Sequence, residues 1–305
     1  MAIRFVMNGW FRSGTTILWK VMKESNPKLL HFYEPFGLGY MRKRRVFYRD
    51  IYKSREKLKE RCMELHGFYP YEDYDENNLF EECLMMCEER YDPIVSRYDE
   101  SVREYLDFFH TLGQDCTLQP NRCHFILKEI QKDFGCNVLH IIRNPYRQVK
   151  SFKRSMSFLQ KIYHTIFPER QFGLKKCYDV LYNEFNITQF KPRNFYEYFA
   201  VCWYFINVYP WVADVPVMWF DAFLEEVLDG NYERVVRLLE KYTGLNWDEE
   251  VIKRNIVPEK ALITDPKDVE KLERAIENMG LKNEYEDFIE KSSFGGFIKC
   301  RSEVL

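Results

Sequence analysis

The chain opens with a strand, a glycine turn and a helix, and this unit constrains the fold more than any other feature. AIRFVM (2–7) is a short apolar run with β-branched residues. Gly9 to Thr16 forms the turn, and a helix follows from Thr16 to about Glu24, with Ile17, Leu18, Val21 and Met22 at helical spacing. Asn26-Pro27 ends that helix, because a proline disfavours helical geometry in the residue before it. LLHFY (29–33) reads as the next strand. Strand, crossover helix and strand predict a parallel sheet.

A glycine turn between strand and helix aims successive backbone N–H groups at one point, and the helix adds its positive N-terminal end. The result is an anion cradle. Gly9 and Gly14 have the separation of the nucleoside-triphosphate loop G-x-x-x-x-G-K-[ST], but Thr15 stands where the lysine belongs. Ordinary ATP hydrolysis is therefore disfavoured. Arg12 can bring a cation to the anion from another direction, and Ser13, Thr15 and Thr16 offer hydroxyl donors.

HFILKE (124–129), NVLHII (137–142) and VPVMWF (215–220) read as further strands, the first two as buried parallel ones. The expected fold class is a three-layer α/β/α domain spanning 1–305, with a central, mostly parallel sheet of about five strands. Residues 40–120 read as a helical insertion, and 153–200 as a segment covering the substrate. RKRR (42–45) is either a solvated basic face or a rim that attracts an anion. YFAVCWYFINVYPWV (198–212) is a buried aromatic helix, helices fill about 222–244 and 267–291, and SSFGGFIKCRSEVL is loop-like.

A second anion site lies at Arg143, where NVLHII ends, with Pro145 in the turn and Ser151 within the next helix. Ligands of open α/β sheets bind beyond the carboxyl ends of the strands. Both candidate sites stand at such ends and can serve one ligand. An arginine suits a phosphate by bidentate hydrogen bonding; the alternative for Arg143 is an ion pair that caps the helix. Two sites on one sheet imply a nucleotide phosphorylated at two separate positions.

The formal net charge of −2 argues against nucleic acid or a membrane surface as partner. The nine cysteines include no C-x-x-C pair, which favours reduced core thiols in a cytoplasmic protein. The start of the chain fits no secretory signal, and no run of about 18 apolar residues marks a membrane span.

With these residues in place, FRSGTTIL resembles the 5′-phosphosulfate loop of sulfotransferases. VLHIIRNPYRQVKSF resembles their 3′-phosphate motif, in which an arginine and a serine eight positions later hold that phosphate, as Arg143 and Ser151 are spaced here. NPKLLHFYEPFG is similar to the Glu-Pro segment of carbohydrate-type and many bacterial members, and FILKEI to a short strand bearing a lysine or histidine near the transferring group. VPVMWFDAFLEE is a looser match, with Trp219-Phe220-Asp221 in place of Tyr-Glu-Asp. The C-terminal Lys-Gly-x-x-Gly-x-Trp signature is not intact, and SSFGGFIK is at best its remnant.

The resemblance implies 3′-phosphoadenosine-5′-phosphosulfate (PAPS) as co-substrate, no metal, and a hydroxyl or amine of a small molecule or saccharide as acceptor. Arg12 then sits at the bridging oxygen, and Arg12, Ser13, Gly14, Thr15 and Thr16 hold the 5′-phosphate. Arg143 and Ser151 hold the 3′-phosphate. Glu34 is the first candidate for general base, and Lys128 for the cation that stabilises the transferring sulfonate. Each has a structural alternative, an ion pair for Glu34 and a strand-end surface position for Lys128. His31 and His124 are rival bases, whereas His140, inside a strand, reads as core. Trp203 reads as core rather than as a stacking face for adenine. An atypical P-loop kinase and a non-catalytic nucleotide-binding protein are the alternatives to a sulfotransferase.

Overall fold

The computed structural model describes residues 2–37, 55–87, 94–154, 173–258, 262–293 and 296–304. The RKRR run lies outside them, as do parts of the stretches read as insertion and substrate cover. In chain order the elements are β1 (Ile3–Gly9), α1 (Thr15–Ser25), β2 (Leu30–Tyr33), α2 (Arg55–His66), α3 (Glu72–Glu76), α4 (Phe80–Cys87), α5 (Glu100–His110) and β3 (Cys116–Gln119). Then come α6 (Leu127–Phe134), β4 (Asn137–Ile142), α7 (Pro145–Arg154), α8 (Leu174–Phe185), α9 (Phe195–Val212) and β5 (Val217–Trp219). The rest are α10 (Phe220–Leu228), α11 (Tyr232–Thr243), α12 (Glu249–Asn255), α13 (Pro266–Asn278), α14 (Lys282–Ser293) and β6 (Ile298–Lys299).

The strands form one sheet in the order β2-β3-β1-β4-β5-β6. β1 to β5 are parallel, and β6 adds antiparallel to β5. The fold is thus α/β with a mostly parallel sheet, of six described strands rather than about five. β5 shows the layering in three residues. Met218 packs into one apolar cluster with α1, α5, α6, α10 and α11, while Val217 and Trp219 face another built by α7, α8, α9, α13 and α14. Near-continuous apolar strands fit this two-sided burial.

Three sequence readings change. HFILKE is not a strand: it is a turn followed by the first turn of α6. There Leu127 and Ile130 are buried while Lys128 and Glu129 are exposed, the pattern of a one-sided helix. The apolar triplet Phe125-Ile126-Leu127 is too short to separate the two periods. The true third strand is CTLQ, inside the stretch read as helical insertion, and Pro120 stops it. The tail read as loop supplies β6, and Phe297 O accepts a hydrogen bond from Trp219 N at 2.8 Å. The helices read over 222–244 are α10 and α11, separated at Gly230, and those over 267–291 are α13 and α14, separated at Gly280.

A polar cluster is buried in the sheet just behind the glycine turn. Asn8 on β1 lies in register with His140 on β4. The Asn8 Oδ1 accepts from Cys123 N at 3.1 Å, which fixes the amide's orientation. Its Nδ2 then donates to His124 Nδ1 at 2.9 Å and His140 Nδ1 at 3.2 Å. Both ring nitrogens must be acceptors, so both imidazoles are neutral, with their protons on Nε2. His140 Nε2 donates to Asn207 Oδ1 at 3.0 Å. Burial pushes the pKa of His140 down to about 4 and that of His124 well below the ordinary value.

This cluster gives a pH prediction. His140 is neutral in the fold, whereas in the unfolded chain it binds a proton near pH 6.5. Stability is therefore complete above that pH and declines as the pH falls toward about 4, by up to about 1.4 kcal/mol per unit for His140 alone. Urea denaturation between pH 7 and pH 4 should show this slope, and His140→Gln should remove the share that His140 contributes, leaving that of His124. Asn8→Leu strands the acceptors and the Cys123 N–H, and should cost about 3 kcal/mol or more at pH 7.

Candidate functional site

The first four parallel strands each hand the chain to a polar turn at the same edge of the sheet, and β5 passes straight into the start of α10 there. β1 leads to Arg12–Thr16, β2 to Glu34, β3 to Asn121 and Arg122, β4 to Arg143 and β5 to Phe220 and Asp221. This convergence at the carboxyl ends forms the candidate site.

The glycine loop is packed to a fixed shape. A Cβ on Gly9 would meet Ser13 Oγ at 2.5 Å and the Ile141 carbonyl oxygen at 2.9 Å. Gly14 has φ +104°, and a Cβ there would strike the Phe220 ring at 2.6 Å. Ser13 N donates to Trp10 O at 3.0 Å, closing the turn. The Ser13 hydroxyl is buried and has no hydrogen-bond partner among the described residues. α1 closes its first backbone bond from Leu18 N to Gly14 O, no described side chain caps its start, and no acid lies in its first turn. Its leading amides and positive end are left for an anion. Thr16 Oγ1 and the Tyr33 hydroxyl lie 2.9 Å apart. Burial and the Glu34 charge push the Tyr33 pKa well up, so the phenol keeps its proton and can donate it to Thr16.

Arg12 joins this loop to the second anion site. Its Nε donates to Ser151 Oγ on α7 at 3.0 Å, and its carbonyl accepts from Arg143 Nη1 at 3.1 Å. The Gln148 side chain donates to Phe11 O at 2.6 Å and accepts from Trp203 Nε1 at 3.0 Å. Trp203 also donates to the Arg143 carbonyl at 3.1 Å. It is fully buried and stacked on Tyr285, so it holds the site from beneath. Burial lowers the pKa of Arg143, and the Asp221 charge opposes that shift. Asp221 also accepts from Arg147 Nη1 at 3.1 Å and from the Asn144 N–H.

Across the loop, Glu34 is half-buried. Its N–H donates to Gln119 O at 2.8 Å, and its Oε1 accepts from Asn121 Nδ2 at 3.0 Å. Among the described non-glycine residues, Arg12, Glu34, Asn78, Asn121, Asn186 and Asp214 have positive φ. Asparagine and aspartate tolerate that region; Arg12 and Glu34 do not. The two exceptions are the two residues expected to flank the reacting bond, where backbone strain tends to collect.

No protein-family model matches the chain. It is similar to an uncharacterized protein of Archaeoglobus fulgidus, 27% identical over 277 residues, which span 81% of this chain and 85% of that protein. Among solved structures it is similar to the sulfotransferase domain from the Synechococcus PCC 7002 olefin synthase. That match has 14% identity and a TM-score of 0.40, over 88% of this chain and 82% of the other. The functional reading therefore stands on the site's own geometry.

The structure brings Arg12, Ser13, Gly14, Thr15, Thr16, Arg143 and Ser151 together at one edge, with Glu34 beside them. Lys128 is placed differently. It is exposed on α6, bonds Gln131 Oε1 at 3.2 Å, and has Cys300 beyond β6 within its electrostatic reach. His31 is fully buried between Thr117 Oγ1 and Asn26 O, at 2.8 and 2.9 Å, in a structural role. Sequence reasoning missed Tyr33, Asn121, Arg122, Gln148 and Phe220. The signal for Gln148 was available, since it lies between Arg143 and Ser151 in the sequence and on the helix that carries Ser151. Arg122 gave none, because it sits in an aperiodic turn.

Tyr33→Phe should weaken binding of 3′,5′-bisphosphoadenosine about 3- to 10-fold, the worth of one hydrogen bond. Calorimetric titration checks this. On the expectation that Thr16 meets a 5′-phosphate, adenosine 3′-phosphate should bind both proteins alike.

Proposed function

We propose that this chain transfers a sulfuryl group from PAPS to a hydroxyl or amine of a small-molecule or saccharide acceptor. The observation that carries the reading is the contact of Arg12 with both Ser151 and Arg143. It unites a helix-start anion cradle and a second, arginine-based anion site in one crevice. A nucleotide with a 5′-phosphate and a separate 3′-phosphate needs such a pair. A triphosphate needs instead a loop lysine and an acidic magnesium ligand at a strand end. Here the loop has Thr15, and β4 ends in Arg143 and Asn144.

In this reading the amides from Ser13 to Thr16 and the Ser13 and Thr16 hydroxyls hold the 5′-phosphate. Arg143 and Ser151 hold the 3′-phosphate. The acceptor oxygen or nitrogen attacks sulfur in line with the bridging oxygen, and its proton passes to Glu34. The S–O bond to the 5′-phosphate breaks and leaves its electron pair on the bridging oxygen, where Arg12 offsets the growing charge. Asn121 holds the Glu34 carboxylate in place, so that Oε2 is the oxygen left for the acceptor's proton.

The first test is calorimetric titration with 3′,5′-bisphosphoadenosine and ATP, followed by transfer of labelled sulfate from PAPS to an acceptor panel. The bisphosphate should bind at least tenfold more tightly than ATP; preference for ATP sinks the proposal. Arg143→Ala should weaken bisphosphate binding about 10- to 100-fold, the worth of a charge-assisted hydrogen bond, and spare the rate at saturation. Glu34→Gln should lower kcat about 100-fold or more at nearly unchanged donor affinity. Unchanged turnover removes Glu34 as the base.

A further inference from the structure

A transfer of this kind brings negative charge together from two sides. The sulfonate is anionic, and on the acceptor side a carboxylate takes the proton. Arg12 stands on the leaving-oxygen side, at the turn into α1. A cation is also needed where sulfonate, acceptor and Glu34 meet. Lys128, expected there, sits exposed on α6.

The turn between β3 and α6 provides another group. It is fixed from four directions. Gln119 Nε2 donates to Asn121 Oδ1 at 2.8 Å, and Asn121 Nδ2 to Glu34 Oε1 at 3.0 Å. Val95 N donates to Arg122 O at 2.8 Å, and Cys123 N to Asn8 Oδ1 at 3.1 Å. The Arg122 guanidinium lies over the ring of Phe11, the residue that precedes Arg12 in the loop, 5.4 Å from its centroid. At the other side, Arg122 Nη2 and Glu34 Oε2 border the same point above Gly37, 3.8 and 3.0 Å from where a Cβ would stand. Arg122 thus spans from the loop to the carboxylate. It is 4% exposed, so its charge is little screened by water.

Resting on the donor reading above, we propose that Arg122 is the second cation of the transfer step, contacting the sulfonate oxygens on the acceptor side. The planar guanidinium presents a fork of donors to two oxygens of one oxyanion. Phe11 supports that guanidinium from the loop side. A side chain at position 37 would crowd Glu34, whose Oε2 and Cβ stand 3.0 and 3.1 Å from where that side chain's Cβ would lie.

The experiment compares PAPS with 3′,5′-bisphosphoadenosine, which lacks only the sulfonate. Both are titrated calorimetrically into the wild type, Arg122→Ala and Arg122→Lys, with melting curves to confirm folding. Arg122→Ala should leave the bisphosphate dissociation constant within about twofold and reduce the preference for PAPS at least fivefold. Arg122→Lys, which keeps the charge and loses the fork, should fall between, and gives the same readout if the alanine variant does not fold. Equal weakening of both nucleotides, or an unchanged preference, overturns the role of Arg122 and spares the donor reading. Failure of the wild type to bind either nucleotide overturns both.

Discussion

The site depends on the hydrogen bond from Arg143 to the carbonyl of Arg12. It ties two segments 131 residues apart and holds two guanidinium groups near one another at the sheet edge. Like charges at short range repel, more so where water is scarce. The arrangement persists because the fold supplies counter-structure. Asp221 faces Arg143 and pairs with Arg147, Trp203 holds the Arg143 carbonyl, and Gln148 holds the loop through Phe11. These bonds orient both arginines within the fold itself, the kind of preorganisation that lowers the ordering cost of binding an anion.

Much of this edge was legible in the sequence, for a physical reason. β1, the glycine loop and α1 are consecutive, so their chemistry is local: a strand end, two glycines and a helix start within 17 residues from Gly9 to Ser25. The same holds from β4 through α7. β3 was hidden because CTLQ is four residues long, half polar, and buried only because it lies between β1 and β2. Its stability comes from neighbours distant in the chain, which no local period reports. With HFILKE read as a strand, Lys128 was the cation expected on it; with CTLQ as the strand, the residues just beyond its end are Asn121 and Arg122.

Phe220 was hidden for a related reason. Its ring lies where a Cβ on Gly14 would go, and Arg143 stands over the same ring at 6.0 Å from its centroid. One aromatic ring thus contacts both the loop and the turn that carries Arg143. The requirement for glycine at position 14 is accordingly as much a matter of the β5 end as of the loop's own φ. A motif that looks self-contained in the sequence is in part the imprint of a strand some 200 residues later.

The strained backbones at Arg12 and Glu34 follow from this geometry. A residue in the left-handed region turns its side chain out of the direction that the strand would give it. Arg12 in that conformation sends its guanidinium to Ser151 on α7, while its carbonyl faces Arg143. Glu34 is held there by Gln119 O on its N–H, by the Gly37 N–H on its carbonyl at 2.7 Å, and by Asn121 on its carboxylate. Of these contacts, the Gln119 and Asn121 bonds come from the turn that also carries Arg122. That turn is anchored in turn to Asn8, one residue before the glycine loop begins. The neutral histidine cluster is therefore more than core filling. It joins the segment bearing Glu34's support and Arg122 to the segment bearing Arg12, so the spacing of these segments is set by buried hydrogen bonds rather than by the ends of surface side chains.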